Sequence, residues 1–498
     1  MTVSIDRQLR AYSDFFESQL PVTDLDEVFT ERVTGADAQR LSDGEALVAY
    51  LPPPEPPAAG RRPKRGRAVT AIAAAALVVA GVMAATDRGG RDVGTDTGSS
   101  PGVSDSAPNY EWSRVILDTA TSDEASPWVY SVTVGGPGLV AVGAEDSGSL
   151  DRDAAVWTSV DGIAWSRVPH DETIFGGSGV QEMWDVTTGG PGLVAVGRDT
   201  AGDGSDSFAT AAVWTSIDGL TWTRVPHDQA VFGGAGDKST DSFRMSAVTS
   251  GGPGLVAVGD QVGASDAEEI TGAWDPVATI WISTDGLTWT RVPHDPAVFG
   301  DRDDNESVHL HEVTSGGPGL VAVGDVDRFG RMVNAVWTSV DGLTWTRIQD
   351  QTFSGPAAHA VTAGGPGLVS VGGSSVWVSE DGISWTRVPR DPAVFGEPGS
   401  SEMHGVTTTG SGLVAVGGTD EGAAVWTSVD GIEWSRVPHD EDVFGGVGSQ
   451  YMLDVASTGA GLVAVGRTSQ HPQYPSGEPT VWVATATERV GFIGLPPE

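Results

Sequence analysis

Cysteine is absent from all 498 residues. That excludes disulfide staples, thiolate zinc sites and cysteine nucleophiles. It leaves export open, because a domain of this size buries a core without staples. Lysine is nearly absent too, at Lys64 and Lys238 only. Basic side chains total 28 against 67 acidic ones, a formal net charge of -39. Such a surface argues against nucleic acid as a partner. Residues 1–67 hold 11 acidic and 9 basic side chains, so the acidity belongs to the C-terminal part. A solvated acidic surface names no ligand by itself. The H-E-x-x-H and P-loop signatures are missing as well. What is plentiful is glycine, with 68 residues, and regularly placed tryptophan, with 17. Together they suggest many short strands and tight turns.

The chain has one long apolar run, AVTAIAAAALVVAGVMAA, which follows RRPKRGR. Its length and basic flank predict a transmembrane helix over 68–86. The positive flank would hold the N-terminus in the cytoplasm and the rest outside, as a single-pass signal anchor in the cell membrane. A cleaved signal peptide or a buried soluble helix are the competing readings. Residues 1–50 read as a short helical cytoplasmic segment, with Ile5, Leu9, Tyr12 and Phe16 on one face. A Pro-rich and basic linker covers 51–67 and a flexible extracytoplasmic linker 87–108. A C-terminal tail covers 487–498.

Between them, 109–486 is repetitive. The phrase GLVAVG, once GLVSVG, occurs seven times, with its Leu at 139, 193, 255, 320, 368, 413 and 462. Each copy is followed by a VWTS-like phrase, and in six of them by a second Trp eight residues after the first. One unit parses into four strands: MWDVTT (a), LVAVG (b), AAVWTS (c) and LTWTRVP (d), with GGPG and Asp218-Gly219 as tight turns. Seven such units predict an all-β, seven-bladed β-propeller. The seventh unit lacks strand d, while YEWSRV at 110–115 lacks a unit. The strand around Trp112 is therefore expected to complete the last blade and close the ring.

The phrases SVDGIAW, SIDGLTW, STDGLTW, SVDGLTW, SEDGISW and SVDGIEW, between 159 and 434, resemble the Asp boxes of sialidase-like, or BNR-type, propellers. Each is one residue shorter than the usual box. The resemblance covers roughly 110–486 and implies a structural box on the c–d hairpin, away from the ligand face. The family spans hydrolases, lectin-like modules, assembly factors and receptors, so membership leaves activity open. Sialidases use an arginine triad, a Tyr–Glu nucleophile pair and an acidic acid/base. Non-repeat candidates for such a set are Arg198, Arg244, Arg302, Arg328, Arg331 and Arg467, with Tyr110, Tyr130, Tyr451 and Tyr474. They do not align into one in the sequence, and no catalytic residue is assigned.

The a–b and c–d turns are short and nearly identical, whereas the b–c and d–a loops at the other end vary. Binding sites favour variable loops on a rigid scaffold. The candidate ligand-binding residues lie there: Trp274 and Tyr474 as exposed aromatics, and the carboxylates Asp266, Glu268, Glu269, Asp301, Asp303, Asp304 and Glu306. Oxygen-rich clusters of this kind could hold Ca²⁺, the one cofactor considered. The repeated VPHD phrases place His170, His227, His294 and His439 on separate blades. They read as turn caps beside a Phe plug rather than as metal ligands. The expected function is a membrane-anchored binding module for a glycan, peptide or protein. A sialidase-like glycoside hydrolase is one alternative, and a cell-surface structural or assembly factor the other.

Overall fold

The computed structural model describes residues 110–117, 127–147, 151–200, 209–233, 242–263, 276–301, 306–328, 330–348, 352–355, 358–469 and 477–486. They form an all-β body of four-stranded antiparallel sheets, in which strands a, b, c and d of each repeat pair in order. Strand a is innermost. Its seven copies span Pro127–Gly135, Val180–Gly189, Ser242–Gly251, Glu306–Gly316, Ala360–Gly364, Ser401–Thr409 and Ser449–Ser457. Each packs against the next, and the last packs against the first, so the sheets close a ring around a central channel. A single parallel bridge between Arg152 and Val180 joins blades 1 and 2. The strand Tyr110–Ile116 pairs antiparallel with Gly477–Ala486, setting Trp112 opposite Ala484. The last sheet thus draws on both ends of the repeat region. Asp454 of blade 7 reinforces the closure by accepting the Val132 N–H of blade 1 at 2.8 Å.

Hydrophobic burial between blades holds the ring. The strand-c tryptophans Trp157, Trp214, Trp281, Trp337, Trp377, Trp426 and Trp482 are fully buried. Trp214 also donates its indole N–H to the Ile174 carbonyl at 2.7 Å, and Trp281 donates to Val231 at 2.8 Å. Those carbonyls belong to the VPHD loop of the preceding blade. Phe175 and Phe232, from the same loops, are buried in the inter-blade clusters. Short helices such as Gln229–Phe232 are capped by an Asp, with Asp228 Oδ1 accepting the Ala230 N–H at 2.9 Å.

The c–d hairpins share one bonding scheme. In blade 2, Ser216 Oγ accepts the Gly219 N–H at 2.8 Å, and Asp218 Oδ1 accepts the Leu220 and Thr221 N–H groups at 2.9 and 2.7 Å. Trp222 donates to the Gly219 carbonyl at 2.9 Å. These backbone donors hold the Asp218 carboxyl below the usual range. Gly219 sits at a φ of 76°, in the left-handed region the turn requires.

No helix among the described residues is long and apolar enough to cross a membrane. On that finding the transmembrane helix preceding the β domain is withdrawn. The single-pass anchor, the membrane location with its cytoplasmic N-terminus, and the membrane-anchored binding role are withdrawn with it. The run that suggested them is rich in alanine, whose small side chain contributes little transfer free energy, so length and basic flank carried the expectation. Residues 68–86 themselves lie outside the described residues, as do segments 1–50, 51–67 and 87–108 and the tail 487–498.

Candidate active site

The repeats diverge most in two columns of strand a. Counting back from the valine shared by all seven copies, the second residue is Tyr130, Trp184, Ser246, His311, His359, His404 or Leu453. The fourth includes Trp128, Glu182, Arg244, His309, Glu402 and Tyr451. In six blades the residue at the second place is the extra residue of a β-bulge, as at Val129/Ser131, Met183/Asp185 and Met403/Gly405. A bulge drops its extra residue out of the ladder and re-aims the side chain, here into the channel mouth on the variable-loop end. The last glycine of GLVAVG is its counterpart on strand b. A Cβ on Gly143 would collide with the Trp128 carbonyl, and one on Gly197 with the Glu182 carbonyl. Close backbone approach, not turn geometry, requires glycine there.

These side chains form an unbroken circuit around the mouth. Trp128 stacks on Tyr130 with ring centres 6.4 Å apart. The Tyr130 hydroxyl lies 3.5 Å from Glu182 Oε1. Glu182 also accepts Arg152 Nη1 at 2.8 Å, Arg198 Nε at 2.9 Å and the Trp184 indole N–H at 3.1 Å. Arg198 and Arg244 lie over the Trp184 ring at 5.2 and 5.8 Å. Arg244 donates to both oxygens of Asp260, at 2.5 and 2.7 Å, and His309 Nδ1 meets the same carboxylate at 2.9 Å. His309 stacks on His311 at 6.3 Å, His311 meets His359 at 5.7 Å, and His359 meets His404 at 5.4 Å. His404 is 6.1 Å from Tyr451. Arg467 closes the circuit, 4.7 Å from the Tyr451 ring and 4.6 Å from the Trp128 ring.

The circuit has two chemical halves. Blades 7, 1 and 2 bring Arg467, Arg152 and Arg198 around Tyr130 and Glu182. Burial, with Glu182 adding to it, raises the Tyr130 phenol above its ordinary value against the pull of the three arginines. Glu182 is 2% exposed, and the two guanidiniums compensate its charge. Blades 4 to 6 bring the histidines. Burial, with His359 adding to it, pushes His404 down to about 4, while the hydrogen bond from His359 holds Glu402 below the usual range. Glu402, His404, Tyr451 and Arg467 line an open cavity of about 520 Å³ between blades 6 and 7. Deeper in the channel, burial raises the carboxyls of Asp185, Glu312 and Asp454.

Of the candidate residues read from the sequence, Trp274, Asp266, Glu268, Glu269, Asp303, Asp304 and Tyr474 lie outside the described residues. Asp301 is half-buried, and its carbonyl accepts the Glu306 N–H at 3.1 Å. Glu306 is buried and ion-paired to Arg347 at 3.0 Å. Neither belongs to the circuit. Arg198, Arg244, Arg467, Tyr130 and Tyr451 do, although the sequence did not align them. Arg152, Glu182, Asp260, Glu402 and the four mouth histidines went unnoticed. For Glu182, Glu402 and the histidines the signal was the two strand-a columns that break an otherwise uniform repeat; Arg152 and Asp260 lie on strands c and b and carry no such mark.

No family model matches the chain, and no curated protein matches it. Among solved structures, a mutant alpha-L-arabinofuranosidase from Fusarium graminearum with an iminosugar inhibitor has a TM-score of 0.41 at 12% identity, covering 75% of this chain and 97% of that one. A protein described as a putative 6-phosphogluconolactonase from Bacteroides fragilis has a TM-score of 0.37 at 12% identity, covering 70% and 90%. The beta-fructofuranosidase of Bombyx mori has a TM-score of 0.31 at 13% identity, covering 76% and 92%. Likeness at this level assigns no activity to the chain.

Proposed function

We propose that the protein is a sialidase-like glycoside hydrolase acting on a carboxylate-bearing sugar at the channel mouth. The observation that carries this reading is the Tyr130–Glu182 pair, 3.5 Å apart, among Arg152, Arg198 and Arg467. The guanidiniums suit a planar carboxylate. Tyr130 is the nucleophile and Glu182 its base, a variant of the two-carboxylate scheme in which tyrosine replaces the attacking acid. Asp146, on the same end and 3.2 Å from Arg152 Nε, supplies the candidate acid. Without substrate, Glu182 is occupied by two arginines and the phenol is held protonated. A substrate carboxylate would draw those guanidiniums away from Glu182. That frees an oxygen to take the phenol proton as Tyr130 Oη attacks the anomeric carbon, while the acid protonates the departing oxygen.

The test is hydrolysis of 4-methylumbelliferyl glycosides of sialic acid and of uronic acids by the full chain. Turnover of an acidic glycoside and not of its neutral counterpart is expected, with Tyr130→Phe reducing kcat by about a thousandfold. Binding without turnover would remove Tyr130 and Glu182 as reacting groups. Failure of acidic sugars to bind at all would sink the reading.

A further inference from the structure

We propose that His359, Glu402 and His404 form a binding site for a divalent transition metal, with zinc the best fit, at the channel mouth. Their ligand atoms all lie within 4.8 Å of one another. His359 Nε2 is 3.3 Å from Glu402 Oε1. An ion pair alone would account for those two, but it leaves His404 unexplained. The His404 ring faces His359 at 5.4 Å and makes no hydrogen bond among the described residues, so an imidazole lone pair remains available.

The donor set is two imidazoles and one carboxylate, which suits zinc in sites that keep a position open for water or substrate. Zinc bonds of about 2.0–2.1 Å place neighbouring ligand atoms about 3.3 Å apart. The present spacing therefore closes with side-chain movements of about 1 Å. Glu402 is 58% exposed and His359 27%, and the cavity of about 520 Å³ opens on Glu402 and His404, so an ion has a path in and a free coordination side. Metal-bound histidines are commonly oriented by neighbours. Here His311 packs against His359 at 5.7 Å and is itself fixed by a hydrogen bond to Asp325.

A second group, Asp153, His170 and Glu172, also has ligand atoms within 4.8 Å of one another. Its His170 and Glu172 lie on the VPHD loop after blade 1, and the loop after blade 6 repeats the His–Glu contact, at 3.2 Å in both, which marks that pair as part of the repeat. It serves as the control. The site does not rest on the hydrolase reading, because metal binding is measured without substrate.

The experiment is calorimetric titration of the chelator-stripped full chain with Zn²⁺, with Co²⁺ absorption as a second readout. One ion per chain is expected, together with cobalt bands of a nitrogen- and oxygen-ligated site. His404→Ala should abolish both, Glu402→Gln should weaken binding at least about tenfold, and His170→Ala should leave it unchanged. Thermal melting of each metal-free variant establishes that it folds, and the conservative Glu402→Gln keeps the test decisive if His404→Ala does not. No saturable binding, or binding lost with His170→Ala and kept by Glu402→Gln, overturns the site.

Discussion

The two ends of each blade follow opposite rules. At the hairpin end the blades are nearly superposable in their bonding: the hydrogen bond from the Gly N–H to the Ser Oγ measures 2.8 Å in blades 1, 2, 3, 5 and 6 and 2.9 Å in blade 4. At the mouth end, the two strand-a columns differ in sequence from blade to blade. The strand-a bulge and the glycine opposite it recur in six blades, so the scaffold is uniform while its cargo differs. The repeats set the ring, and departures from repetition place the chemistry.

Mutations at the two ends should separate these roles. The largest effect is expected at the mouth. Glu182→Gln should lower hydrolysis of an acidic glycoside by about a thousandfold, because the amide cannot accept the phenol proton. Its melting temperature should fall as Arg152 and Arg198 lose their counter-charge, so the rate is read at a temperature where melting shows the variant folded. An unchanged rate would break the comparison by showing that the mouth is no more chemical than the hairpins.

In the shared core, Trp214→Ala should destabilise the fold by about 3–5 kcal/mol through cavity formation. The same change removes the donor to Ile174. Chemical denaturation reads the loss, and the fraction that remains folded should keep its sugar binding.

The channel carboxyls make a pH prediction. Burial is the main cause that lifts Asp185 from 3.8 to about 6, against hydrogen bonds from Val248, Ser131 and Val186. Between these values the folded chain holds more protons than the unfolded one, so stability falls as pH rises through roughly 4 to 6. Relative to Asp185→Asn, the parent should lose about 3 kcal/mol across that window and change little above pH 7. A constant difference between the two in urea titrations from pH 4 to 8 would show that this carboxyl does not titrate there.

The smallest effect belongs to one hairpin. Ser216→Ala strips the acceptor from the Gly219 N–H and should cost about 1–2 kcal/mol. Sugar and metal affinity should not move, since the mouth lies at the other end of the strand. Melting and binding of the one variant test both statements.

Much of the β domain was legible from local pattern. The alternation within strands, the turn residues and the orphan YEWSRV segment each point to a pairing seen directly in the sheets. The membrane helix was the contrary case, because an alanine-rich run matched in length more than in hydrophobicity. The site was legible only in fragments. Arg198, Arg467 and Tyr130 stood out as non-repeat residues, but 269 and 337 positions separate Arg198 and Tyr130 from Arg467. Glu182 carries no local mark that separates it from the chain's other carboxylates. A bulge shifts the face on which a side chain emerges, so simple alternation hides which strand-a residues reach the channel.

The sequence by itself determined the repeat, its strands and its turn chemistry, since these depend on neighbours a few residues apart. Only the tertiary structure decided that Tyr130 meets Glu182, that Arg467 returns to Trp128 and that His359 meets His404. The first and third depend on neighbouring blades packing side by side and the second on ring closure, and no local propensity encodes any of them.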